Sequence, residues 1–121
     1  MNSAQVDFQQ VRIKHILFKS KVRSVLYGGV LDTAFFSEAG PINQWFSKVG
    51  RVKYAQEPEL FSLHKTHNEL MANAQRLFSL YRSGSIDQAH QGMKDIEKLS
   101  DKFQGLLTQI EKRLSVRADV Y

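Results

Sequence analysis

Apolar residues recur every three, four and seven positions through most of this chain, and both prolines fall where such runs begin. That spacing places them on single faces of α-helices, and no segment shows the period-two alternation of a strand. From Val6 to about Leu26 the inward face carries Phe8, Val11, Phe18, Val22 and Val25, with His15 among them. Gly28 and Gly29 then supply the backbone freedom a helix stop requires. Residues 30 to 40 read as a helical turn capped at Asp32 or Thr33, or as a packed loop. Pro41 suits a first helical position, and Ile42, Trp45, Phe46 and Val49 give a short stripe closed by Gly50. Arg51 to Gln56 reads as a basic loop.

Pro58 opens the next helix, whose inner face carries Leu60, Leu63, Leu70, Ala74, Leu77, Phe78 and Tyr81 up to a stop at Ser83-Gly84. Ser85 and Gln88 have the spacing of a capping box. The last helix bears Ile86, Ala89, Met93, Ile96, Phe103, Leu107, Ile110 and Leu114, close to a seven-residue repeat. Such a repeat suits antiparallel packing in a bundle or a seam with a partner. The expected fold is an all-α, antiparallel four-helix bundle with a short extra helix or loop around residues 32–50.

A chain of 121 residues, 42% hydrophobic and 24% charged, fits a single folded domain over residues 1–121. With no cysteine, disulfides, thiolate catalysis and Cys-ligated zinc are excluded. The formal charge of +5 is concentrated in Arg12, Lys14, Lys19, Lys21 and Arg23, then in Lys48, Arg51 and Lys53. Arg12, Lys19 and Arg23 share one helix side, which permits a patch for an acidic partner or nucleic acid. Interleaved aromatics for base stacking are not evident, so a solvated helix face is the simpler reading. No apolar run approaches a membrane span, and the start MNSAQVDFQQ lacks the pattern of a signal peptide. A cytoplasmic location is expected.

The histidines are the candidates for chemistry. His15 and His67 lie on inner stripes of different helices, so a bundle could bring them together as metal ligands. His64 and Met71 flank His67 at helical spacing and are possible further donors, although a thioether suits Cu(I) better than zinc. The competing reading makes all of these packing residues, with His90 exposed. No phosphate loop, nucleophile elbow or H-E-x-x-H helix is present. Asp95, Glu97 and Asp101 alternate with Lys98 and Lys102 as on a solvated, ion-paired helix face, so no enzyme is expected.

The order and spacing of His15, Trp45-Phe46, Pro58-Glu59-Leu60, His67 and Ala74 resemble the chemoreceptor zinc-binding domain, often called CZB. The likeness runs from about residue 8 to 111 and takes in the Gly84–Ala89 turn and Ile96, Ser100, Phe103, Leu106 and Leu107. It implies a cytoplasmic helical bundle, usually dimeric, that holds zinc through a first-helix histidine, a cysteine before a Trp-aromatic pair, and a His-x3-His pair. His15 matches the first histidine and His67 the first of the pair. The cysteine position falls at Gly40, the glycine before the tryptophan at Asn43, and the second histidine of the pair at Met71. Two of the four zinc ligands are therefore missing, and Gly40 and Met71 are expected to fill the ion's space with packing.

These readings together lead to the expectation of a small sensory or regulatory bundle of bacterial signalling type, with a degenerate zinc site. It would work by protein–protein interaction or ligand sensing, as a homodimer, with a signalling partner in trans. Its first and last helices are the surfaces expected to meet another chain. The alternatives are a metal-binding module on His15 and His67, with zinc as a possible cofactor, and a basic bundle that binds anions or nucleic acid.

Overall fold

In a computed structural model of the chain, residues 3–120 are described, with the side chains of residues 3–116. Helix α1 covers Ser3–Leu26, and α2 covers Pro41–Trp45. A π-helical turn, Phe46–Gly50, continues α2 into the single turn α3, Arg51–Lys53. The remaining helices are α4 (Pro58–Arg82), α5 (Ile86–Gln91) and α6 (Met93–Val120). The fold is all-α, and no strand occurs among the described residues.

Ion pairs between helices define their directions. Arg12 and Arg23 of α1 pair with Glu111 and Glu97 of α6, so these two helices are antiparallel. Arg113 of α6 meets Glu57 and Glu59 at the start of α4, and Arg76 near the end of α4 meets Asp95. Helix α6 is therefore antiparallel to both α1 and α4. Between α1 and α4 the chain runs back down: Phe36 packs on Phe18 and Phe78, and the indole N–H of Trp45 then donates to the Asp7 carbonyl at 2.9 Å. This returning segment is the short, irregular second leg of an up-down-up-down bundle.

The turns follow from the backbone. At the end of α1, Gly28 has φ 99°, and the N–H groups of Gly28 and Gly29 bond to the carbonyls of Val25 and Ser24. Gly84, with φ 90°, closes α4 in the same way, through Gly84 N–H to Tyr81 and Ser85 N–H to Leu80. Both are Schellman motifs, which require the left-handed conformation that glycine adopts without strain. Asp32 caps the turn after α1, accepting the Phe35 N–H at 3.1 Å.

Several local expectations are corrected. Ser85 makes no side-chain cap, and its own N–H is already held by Leu80, so the box with Gln88 does not form. Gly50 does not stop a helix; it is helical at φ −59° and ψ −57°. A Cβ there would lie 3.0 Å from the Trp45 ring, so its role is close approach, and part of the expected basic loop is helical. The last helix divides at Gly92, where a Cβ would fall 2.1 Å from Leu77 Cδ2.

The near-heptad stripe of α6 is used inside the chain. Met93, Ile96, Phe103, Leu107 and Ile110 are buried in one core cluster with Phe8, Val11, Phe18, Leu63, Leu70 and Leu77. Among the described residues these side chains are covered within the chain, and Leu114 beyond them is half-buried. Helix α1 is different: Ile13, Ile16 and Leu17 are 59%, 54% and 45% exposed, on the side turned away from its buried face.

Candidate functional site

His15 sits midway along α1, His67 in the second turn pair of α4, and Phe103 on α6 opposite both. The His15 ring stacks on Phe103 with centroids 4.5 Å apart and lies 6.4 Å from Phe18. His67 contacts the same two rings, edge-on to Phe18 at 5.6 Å and 6.5 Å from Phe103. The bundle thus brings the two histidines together around a shared phenyl pair, at fractional exposures of 0% and 2%.

Their polar atoms are sparsely partnered. His15 Nε2 hydrogen-bonds Ser100 Oγ at 2.7 Å, while Nδ1 of both His15 and His67 is buried without a partner. The His15 tautomer that donates from Nε2 to Ser100 leaves a lone pair at Nδ1, which is cheaper to bury than an N–H. Burial, reinforced by the cations Lys19 and Arg12 and opposed by Glu97, pushes the His15 pKa down to about 4. Burial, then His64 and His15, pushes that of His67 down to about 3. Both rings are neutral at pH 7.

Neutral imidazole is the form that binds metal, but the surroundings do not complete a zinc site. Among the described residues no group of three His, Cys, Asp or Glu side chains could hold an ion. His64 stacks on Phe46 at 4.4 Å and is only half-buried, and Met71 is likewise half-buried one turn beyond His67. At Gly40 a Cβ would lie 2.2 Å from the Phe35 carbonyl oxygen, so no cysteine fits that backbone. The gap bordered by His67, Phe18, Phe35 and Gly40 is too narrow for a water molecule. Two imidazoles fall short of the four donors of structural zinc.

Two partners were not foreseen from the sequence. Ser100 carries a signal, being a polar residue on the apolar stripe between Ile96 and Phe103. Asp7 carries none beyond its place on α1. It is buried and accepts hydrogen bonds from Lys53 Nζ at 2.7 Å and the Tyr54 hydroxyl at 2.5 Å, fastening the second leg to α1. His90 was expected to be exposed. Instead it is half-buried, stacked on Tyr27 at 4.0 Å, with Nε2 against the Leu26 carbonyl at the end of α1.

The basic residues of α1 are largely engaged within the chain. Arg12 pairs with Glu111, Lys19 and Arg23 share Glu97, and Lys21 reaches Asp32. Of the alternating charges of α6, Glu97 pairs with α1 and Asp95 with α4, while Asp101 and Lys102 are exposed. No helix among the described residues is long and apolar enough to cross a membrane. No protein-family model matches the chain, and no curated protein or solved structure matches it either.

Proposed function

We propose that this chain is a non-catalytic regulatory bundle of the chemoreceptor zinc-binding type, in which packing has replaced the zinc centre. It works in the cytoplasm as a homodimer, through protein–protein contact or ligand sensing, on a signalling partner in trans. One observation carries the reading: His15 and His67, at two of the four ligand positions, adjoin the same phenyl pair, while Gly40, at the thiolate position, has no room for a side chain. The exposed row of Ile13, Ile16 and Leu17 supports the homodimer, since apolar rows on a helix are commonly covered by another surface. The internal pairing of Arg12, Lys19 and Arg23 supports a protein partner over nucleic acid.

The test is metal content by plasma mass spectrometry on untagged protein purified without chelator, with His15→Ala as control. Far less than one ion per chain is expected. One zinc or copper per chain, lost in the control, would overturn this in favour of a metal module on His15 and His67. Sedimentation should show a dimer that Leu17→Glu dissociates. A monomer at every concentration would remove the dimer.

A further inference from the structure

Away from the histidine core, Phe46, Arg51 and His64 border two adjoining surface grooves of about 390 and 470 Å³. One groove is polar, with Asn43 and Asn68 in its wall; the other is bounded by Leu60 and Phe61. Each is within the size range of small-molecule sites. Phe61 is 78% exposed, on a helix whose other large apolar side chains are mostly buried. Arg51 is exposed and, like Arg82, forms no ion pair among the described residues, so its guanidinium is open at the groove.

The backbone supplies a separate observation. The π-helical turn Phe46–Gly50 runs directly into Arg51. Such turns are rare and occur frequently at functional sites. Here Gly50 presses against Trp45 and Leu60 on the core side, and Arg51 follows at the groove. His64, stacked on Phe46, has its pKa lowered by burial and by the Arg51 charge, so it is a neutral polar group beside that cation.

We propose that this groove binds a small carboxylate bearing an aromatic or branched apolar group, with the carboxylate on the Arg51 guanidinium and the apolar part against Phe61 and Leu60. The guanidinium fork matches a planar carboxylate and the exposed ring offers a stacking wall. Glu38 borders the groove of Asn43 and Asn68, and Glu57, itself paired with Arg113, borders the other; both carboxylates disfavour a phosphate dianion more than a monoanion. The inference deepens the ligand-sensing part of the proposed function. Its test reads neither metal nor oligomeric state, so a failure here leaves those readings to their own experiments.

Phenylacetate titrated into the ¹⁵N-labelled full chain is the direct probe. Saturable amide shifts are expected around Arg51, Phe61 and His64, with a dissociation constant of about 1 mM, as a ligand of this size allows. Arg51→Ala should weaken binding about tenfold or more, with Arg51→Lys between the two, because charge is kept and the fork is lost. Phenylacetamide, the same shape without the charge, should bind about tenfold more weakly. Acetate should be weaker than phenylacetate, and Phe61→Ala should reduce that difference. Arg51 and Phe61 are both exposed, so unchanged melting will confirm that the variants fold. Absence of saturable shifts, indifference to Arg51→Ala, or tighter binding of inorganic phosphate than of phenylacetate would overturn the proposal.

Discussion

Acid should destabilise this protein well before its carboxylates titrate, because two histidines are buried uncharged. In the unfolded chain His15 and His67 take up protons near the ordinary value of 6.5, whereas the folded values are about 4 and about 3. A depressed histidine pKa means that the unfolded state binds protons first as pH falls. The stability contribution is complete above pH 6.5 and is lost as pH falls from there toward the folded values. Between pH 7 and pH 5 each ring costs about 2 kcal/mol by proton linkage, so the pair costs about 4 kcal/mol. A domain of this size has about 5–15 kcal/mol in all, so the loss is a large share. Urea unfolding at pH 7, 6 and 5, with tryptophan fluorescence and circular dichroism, measures it. The midpoint should fall by about 2 M at ordinary urea dependence. His15→Gln, which keeps an amide donor for Ser100, should halve the loss. A midpoint that is flat over this range, or a slope unchanged in His15→Gln, would show that the rings are not buried neutral.

Gly40→Cys places Cβ on the Phe35 carbonyl, so a loss of about 2 kcal/mol or more is expected in urea unfolding. Gly92→Ala should cost about 1–3 kcal/mol by displacing the fully buried Leu77, and stability equal to wild type would refute the close packing at the α5–α6 junction. The Tyr54 phenol is held above its ordinary pKa by burial, then by its hydrogen bond to Asp7 and that residue's charge. Asp7→Asn should therefore bring its alkaline absorbance titration down toward the usual tyrosine range, and it should also lower the melting temperature.

Helix positions were legible because they rest on local rules. Pro58, Gly84 and the run Leu60, Leu63, Leu70, Ala74, Leu77 mark α4 by spacing alone. The misreadings arose where a residue type serves two ends. Gly50 and Gly92 look like helix stops or neutral positions in a sequence, yet both are needed for close approach to side chains distant along the helix or on another one. Ser85 has a capping partner at the right spacing, but its N–H had already been taken by the helix behind it.

The candidate site shows the same division. Helical period placed His15 and His67 on inner faces, and composition excluded a thiolate. That Gly40 cannot carry a side chain depends on the path of the loop before it, which no periodicity describes. The pairing of His15 with Ser100, across 85 positions, and of Asp7 with Tyr54, across 47, is fixed by how the helices pack. So is the exposure of Phe61 beside Arg51, since the apolar period of α4 does not say how far the second leg covers its flank. The sequence by itself determined the helices and their buried faces, because backbone hydrogen bonding and side-chain spacing act within a few residues. Which faces meet, which charges are satisfied and which grooves stay open were decided by the tertiary structure alone, because those depend on contacts between segments far apart in the chain.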